Sequence, residues 1–212
     1  MRKSAIIILA LLLCGHASAE KLKYAVQYDI PYKESQDAYA IERCRLDICY
    51  PKDTAGCAVV VWFHGGGLTQ GSKSFPWKLK EKGMVLVAVG YHTDADDIAG
   101  LIPFSGQMIS HFSYREMKGI GNLQPTIDEY APLFHVRKDA PPLILITGDR
   151  DIELFGRHEE NAYMWRMMKL TGHADTYLYE IDGHGHGSMA EPAYHILENH
   201  VKKITGMPVD NN

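Results

Sequence analysis

The sequence predicts an α/β fold, a mostly parallel sheet flanked by helices. Three apolar runs, at 59–63, 84–89 and 142–147, are short and are flanked by glycine or proline. Stretches with helical spacing lie between or after them, and the clearest of these is 157–170. Buried strands that alternate with helices are typical of a parallel sheet covered on both faces.

The other elements are predicted from the same signals along the chain. Residues 39–50 predict an early antiparallel strand that ends at Pro51. Glycines close two of the predicted helices. In chain order, the remaining predictions are a short helix over 76–82 before Gly83, a strand over 98–104, a helical stretch over 126–133, a strand over 176–181, and a last helix over 191–204 before Gly206.

The first nineteen residues are expected to be a secretory signal peptide. Arg2 and Lys3 precede a short apolar run, and Ala17-Ser-Ala19 is a small-residue cleavage pattern. The apolar run is too short to span a bilayer. The mature chain, 20–212, would be one secreted or periplasmic domain. It would be more acidic than the whole chain, whose net charge is −4, and this charge does not favour nucleic-acid binding.

Three cysteines follow the signal peptide: Cys44, Cys49 and Cys57. An odd number leaves at least one thiol without an intramolecular partner. Cys44 and Cys49 are five positions apart, so they would face opposite sides of a strand. We therefore expect all three to be small buried apolar residues.

The link between the predicted strands 84–89 and 98–104 is too short for a parallel sheet. It holds eight residues, 90–97, whereas a crossover between parallel strands needs about a dozen or more. Three explanations remain open. The two strands pair antiparallel, one of them is not a strand, or a stretch of the ancestral fold is absent.

Several stretches resemble secreted bacterial α/β-hydrolases of the esterase/lipase type that carry a His-Gly-Gly-Gly motif. They are 59–73, which contains His64-Gly-Gly-Gly67, together with 98–107, 140–150 and the 159–169 helix. The resemblance covers most of residues 39–206. It implies an α/β-hydrolase fold and hydrolysis of small-molecule carboxylic esters by a Ser-His-Asp triad, with no cofactor.

The resemblance also shows what is missing. The family carries its nucleophile on a Gly-x-Ser-x-Gly elbow after the central strand, and no such motif occurs in the 212 residues. The expected place for it is the short link, so we expect an internal deletion near 90–94 that removes the central strand and its adjacent helices. Activity would then be weak or absent. The alternative is a non-catalytic ligand- or partner-binding remnant that self-associates through exposed sheet edges.

The resemblance assigns a base and an acid. His186, in Gly183-His-Gly-His-Gly187, is the expected general base, and His184 is the less favoured neighbour. The acid is expected on the loop after the 142–147 strand. The Gly-x-x-Asp spacing there favours Asp151 over Asp149, which could instead bond its own turn.

The glycine motif is the expected oxyanion site. Gly66 and Gly67 would donate their N–H groups, because glycines leave successive amides open to a cavity. His64 and Gly65 would support the loop. We expect no metal site, because the spacing of His64, His92, Asp94, Asp96 and Asp97 matches none of the common ligand patterns.

Two other serines are alternative candidates for the nucleophile. Ser105 ends the predicted 98–104 strand, and Ser188 lies two residues after His186. Neither is expected to serve, because neither sits on a strained strand-to-helix turn that would expose and activate its hydroxyl.

Overall fold

The computed structural model describes residues 22–34, 36–64, 71–80, 82–89, 99–121 and 123–208. The predicted signal peptide, glycines 65–67 and the 90–97 link lie outside these residues. No helix of the described chain has the length and apolar content to cross a bilayer. The elements are β1 (Tyr24–Pro31), α1 (Ala38–Arg43), β2 (Arg45–Pro51), β3 (Val59–Phe63), β4 (Val85–Val89), α2 (Phe112–Met117), β5 (Leu143–Gly148), α3 (Arg157–Leu170), β6 (Thr176–Ile181) and α4 (Ala190–Thr205).

The first four strands form one mixed sheet in the order β1-β2-β4-β3. β1 and β4 both pair antiparallel with β2, and β3 pairs parallel with β4. The sheet is therefore antiparallel at its outer edge and parallel at its inner edge, where β3 lies.

A second group of strands is wholly parallel. β5 pairs with β6, and the 101–104 segment joins β5 through two parallel bridges, Leu101 to Leu143 and Phe104 to Ile146. Every residue of β5 is buried, as expected for the middle strand of a parallel group.

Side chains rather than backbone bonds join the two groups of strands. No backbone hydrogen bond links β3 to the 101–104 segment in the described residues. Instead, the rings of Trp62 and Phe104 pack edge to face with their centroids 5.5 Å apart. Tyr194 of α4 contacts both rings, at 6.0 and 5.8 Å. We call this boundary the seam and these three rings the aromatic triangle.

The strand at the seam is covered on one face only. Val60 is 8% exposed and packs in a core cluster with Leu197 and Val201 of α4. On the opposite face, Val59 and Val61 are 58% and 44% exposed. An inner strand of a parallel sheet is normally buried on both faces, so β3 lacks part of its expected cover among the described residues.

Three predicted elements need correction. Residues 38–43 form helix α1, so the predicted strand 39–50 begins only at Arg45, although it ends at Pro51 as expected. The 76–82 helix is reduced to a single 3₁₀ turn, Trp77–Leu79, before Gly83 at φ +74°. The 126–133 stretch is irregular up to Pro132–His135, which is also a 3₁₀ turn.

Most of the remaining elements lie where the sequence predicts them. β3, α3 and β6 have the predicted bounds, and α4 is one residue longer at each end than its prediction. Of the predicted 98–104 strand, the described part makes only the two bridges. The cysteines carry no disulfide; Cys44 and Cys49 are buried, whereas Cys57 is partly exposed.

Candidate active site

Three segments bring polar side chains to one edge of the second strand group. Ser105 follows the 101–104 segment, Glu153 lies in the loop after β5, and His186 lies in the loop after β6. Because these segments are parallel, their carboxyl ends meet at the same edge. That edge is where ligands bind in open α/β sheets.

His186 pairs with Glu153. The Nδ1 atom of His186 lies 2.9 Å from Oε1 of Glu153. The Glu153 side chain is 1% exposed, while that of His186 is 44% exposed. Since an ionised carboxylate only accepts, Nδ1 carries the proton, which leaves the lone pair on Nε2. This is the tautomer that a general base needs.

Backbone amides hold the Glu153 carboxylate. The N–H of Leu154 donates to Oε1 at 2.7 Å, and the N–H of Gly148 donates to Oε2 at 3.0 Å. Burial by itself would raise the pKa of Glu153. The contacts of Leu154, Ser105 and Gly148, together with the nearby His186, nevertheless bring that pKa below its ordinary value. The buried group therefore stays an anion beside the imidazole.

Gly148 makes room for this carboxylate. A Cβ atom at position 148 would lie 2.7 Å from Oε2 of Glu153 and 2.4 Å from the backbone oxygen of His184. Real Cβ atoms do not approach other atoms so closely. The glycine that ends β5 thus lets the acid fold back against the strand.

The structure pairs His186 with neither of the two predicted aspartates. Asp149 accepts the N–H groups of Asp151 and Gly183 at 2.9 and 2.8 Å, and these bonds lower its pKa in that order of importance. It therefore ties the acid-bearing loop to the histidine loop. Asp151 is exposed. The carboxylate beside the histidine in the structure is that of Glu153.

A local turn explains why Glu153, and neither aspartate, lies beside His186. The N–H groups of Ile152 and Glu153 both bond to the carbonyl of Asp149, at 3.1 and 2.8 Å, so the loop coils once after β5. The coil displaces the acid two positions beyond the Gly-x-x-Asp spacing. The sequence around Glu153 does not mark it, because its apolar neighbours Ile152 and Leu154 are themselves 57% and 51% exposed.

An ion pair fixes the same loop to β6. Arg150 forms a bidentate pair with Glu180, with Nε–Oε1 and Nη2–Oε2 distances of 2.9 and 2.5 Å, and its backbone N–H also donates to Oε1. The guanidinium lowers the pKa of Glu180 to about 2. Backbone and side chain of one residue thus anchor the middle of the acid-bearing loop.

The other predicted site residues occupy less central positions. His64 is half-buried at the end of β3, and Gly65, Gly66 and Gly67 lie outside the described residues. His184 lines a cavity of about 400 Å³ between α4 and the 3₁₀ turn Trp77–Leu79. His92, Asp94, Asp96 and Asp97 also lie outside the described part.

Comparison with solved structures identifies the architecture. A truncated form of a carbohydrate esterase from gut microbiota has a TM-score of 0.66 to this chain at 13% identity, over 89% of this chain and 99% of the other. The chain has the α/β-hydrolase fold.

Two further structures share the α/β-hydrolase fold with this chain. A thermophilic esterase from the Planctomycetes species Thermogutta terrifontis has a TM-score of 0.58 at 16% identity, over 91% of this chain and 95% of that one. A bacterial heroin esterase has a TM-score of 0.57 at 13% identity, over 90% and 86%. Comparisons with protein-family models and with curated proteins found no match.

Proposed function

We propose that this chain is a carboxylic-ester hydrolase by descent that retains its base and acid but lacks the nucleophile elbow. The His186–Glu153 pair carries the proposal, because its geometry is that of a general base oriented by a carboxylate. The structures of similar fold are described as esterases, which supports a small-molecule ester as the substrate class. We expect weak or no turnover.

The seam supports the proposed deletion. Hydrogen-bonded strand order ends at β3 and begins again at the 101–104 segment, without a backbone bond between them in the described chain. The chain passes from Val89, the end of β4, to Leu101, the start of that segment, through residues 90–100. An additional parallel strand at the seam, with its helices, would supply the missing crossover and cover the bare face of β3.

The remaining serines do not replace the nucleophile. Ser105 is buried, with 3% exposure, so its hydroxyl does not reach a bound ester. The exposed Ser188 turns its hydroxyl back to the carbonyl of Gly185 at 3.3 Å. Gly66 and Gly67 remain the proposed oxyanion donors, with His64 and Gly65 in support. Loss of the serine from such a triad lowers the rate by about a millionfold.

Hydrolysis of p-nitrophenyl acetate by the purified mature chain tests the proposal. We expect a rate at the background level of His186→Ala and no labelling by a fluorophosphonate serine probe. Robust hydrolysis that His186→Ala abolishes, with the probe on Ser105 or Ser188, would overturn it. An intact relative carrying the elbow serves as the positive control.

The gene itself tests the deletion. We expect an in-frame segment that encodes Gly-x-Ser-x-Gly at codons 89–95 in the parental gene or in an alternative version of it. A close relative with the same short link and robust esterase activity would contradict the proposal.

The bare face of β3 favours a second candidate, a partner-binding remnant. Val59, Val61 and Phe63 of β3 and Leu101 across the seam are between 40% and 58% exposed. Exposed β-branched and aromatic residues on an unpaired strand favour self-association. This candidate needs no catalysis and predicts a change of oligomeric state.

The proposed location is outside the cytoplasm. Residues 1–19 support it through their basic start, apolar run and small-residue cleavage pattern. N-terminal sequencing of the secreted product tests the proposal. We expect a start at Glu20, and an intact Met1 on the exported protein would contradict the cleavage.

A further inference from the structure

Ser105 has an unusual backbone conformation. Its φ is +48°, in the left-handed region. Glycine adopts this region freely, but L residues other than asparagine and aspartate rarely do. Its N–H donates to the carbonyl of Ile146 on β5 at 2.6 Å, so the turn is attached to the strand that leads to Gly148. Strain of this kind persists where the surrounding structure over-determines the position, and it is concentrated at functional sites.

The hydroxyl of Ser105 is buried next to Glu153. The residue is 3% exposed, and its Oγ atom has no partner at full hydrogen-bonding geometry in the described chain. The Glu153 carboxylate is the charged group on which this hydroxyl acts, because Ser105 lowers its pKa. A buried hydroxyl without a partner is costly, so the carboxylate is the acceptor available to it.

Among the described residues, donors leave the carboxylate one acceptor position. Two carboxylate oxygens offer about four lone-pair positions. Oε1 receives His186 and Leu154, and Oε2 receives Gly148. A fourth donor at Oε2 would complete the set and fix the plane of the carboxylate relative to the imidazole.

We propose that Ser105 is this fourth donor, a positioning residue that acts on His186 through Glu153. Its hydroxyl donates to Oε2, and its strained turn directs the hydroxyl there. The role rests on the proposed function, in which the Glu153–His186 pair is the retained acid and base. Ser105 is not the nucleophile, because its neighbour is an ionised carboxylate of lowered pKa, which is a poor base.

Nitrogen NMR of the His186 ring tests the role without requiring turnover. In the unaltered protein we expect one neutral tautomer, with the proton on Nδ1. In Ser105→Gly, which removes the hydroxyl and suits a positive φ, we expect a mixture of tautomers. Carboxyl ¹³C titration should show a rise in the pKa of Glu153, since a bond to the charged form is lost.

Three further variants separate the hydroxyl from the backbone. Ser105→Ala removes the hydroxyl but keeps the strain, so it should match Ser105→Gly in both readouts. Ser105→Cys retains a weak donor and should fall between them. Ser188→Ala removes a serine hydroxyl from the histidine loop and should change neither readout. Arg157, the cation of α3 that also acts on Glu153, is present in every variant.

The outcomes distinguish this inference from the function on which it rests. If the unaltered protein lacks the Nδ1–H tautomer, the Glu153–His186 pair itself fails. If that tautomer is present and neither Ser105→Gly nor Ser105→Ala changes it or the pKa of Glu153, only the role of Ser105 fails. Should one of these variants not fold, the other still decides, because they differ in backbone strain.

Discussion

Gly148 is the position where one added carbon changes the candidate site most. Gly148→Ala places a Cβ atom 2.4 Å from the carbonyl of His184 and 2.7 Å from Glu153. We expect a loss of about 1–3 kcal/mol in the free energy of unfolding, as for other overpacked sites. We also expect the His186–Glu153 bond to be lost. Urea denaturation and the ring NMR of His186 measure the two effects.

Gly187 provides the matched control. A Cβ atom there meets nothing within 4 Å, and the residue lies on the histidine loop itself. Gly187→Ala should therefore leave the unfolding free energy within about 0.5 kcal/mol of the unaltered protein. Equal losses in the two variants would show that crowding at Gly148 is not the cause.

The Arg150–Glu180 pair makes stability depend on acid pH. The folded pKa of Glu180 is about 2, below an unfolded value of about 4.3. Its contribution is therefore complete above the unfolded value and is lost as the pH falls toward 2. For a partly exposed pair, we expect about 1 kcal/mol or less.

Glu180→Gln should flatten this part of the stability curve. Denaturation midpoints measured between pH 2 and pH 5 should fall less steeply in this variant than in the unaltered protein. Glu116→Gln, which alters an exposed carboxylate of α2, is the control. A curve for Glu180→Gln as steep as that of the control would contradict the assignment.

Helix α4 is the element that holds the two strand groups together. Its Leu197 and Val201 pack with the first group, while Ala193 packs with Ile144 and Ile146 of β5. Tyr194 contacts both rings at the seam. Packing against α4 thus holds the two groups together, whereas backbone hydrogen bonds hold the strands within each group.

Removal of a ring from the aromatic triangle should destabilise the whole domain. For Phe104→Ala we expect a loss of about 3–5 kcal/mol, because Phe104 packs against the clusters on both sides of the seam. A double-mutant cycle with Trp62→Ala should give a coupling of about 0.5–1.5 kcal/mol. Thermal and urea unfolding measure both values.

An exposed phenylalanine provides the control for the Phe104→Ala variant. Phe155 is 80% exposed in the acid-bearing loop, so Phe155→Ala should change stability by about 0.5 kcal/mol or less. If Phe104→Ala behaves like Phe155→Ala, or if Trp62 and Phe104 do not couple, the triangle does not join the groups.

The spacing of apolar residues predicts the elements whose buried face is determined by their own local sequence. β3, α3 and β6 match their predicted bounds because apolar spacing and flanking glycines determine them locally. The sequence does not predict helix α1, because its six residues carry no long apolar repeat. The alternation typical of a strand is confined to the second half of 39–50, which forms β2, and does not reach the residues of α1.

The position of the histidine can be predicted from the sequence, whereas the identity of its carboxylate partner cannot, for a related reason. A short motif marks His186, whereas the identity of its partner depends on how the loop after β5 coils. That coil is set by bonds to the Asp149 carbonyl, which no spacing rule reveals. Sequence spacing gives the order of groups along a loop but not which of them folds back.

For the molecule as a whole, the bare face of β3 predicts weak self-association. The four exposed apolar residues are few beside the roughly 20–30 residues that each partner contributes to a stable interface. We expect reversible dimers at high concentration in sedimentation velocity. Val61→Thr, which keeps the β-branched shape, should shift the equilibrium toward monomer.

The opposite edge of the sheet serves as the control. Tyr28 is 61% exposed on β1, the outer strand, and Tyr28→Thr should leave the association unchanged. A protein that stays monomeric at every concentration would contradict the partner-binding candidate. Dimers weakened only by Tyr28→Thr would move the contact to β1.

The acid–base half of the candidate site lies on one side of the seam. Each group that holds His186 in place, namely Glu153, Gly148, Asp149 and Gly183, lies on the carboxyl-terminal side of the seam. In the sequence, the glycine motif follows β3. Local bonds between two loops preserve the acid–base half whether or not an ester is ever cleaved. The proposed acid–base pair can therefore persist without turnover, because the folding of two loops maintains it.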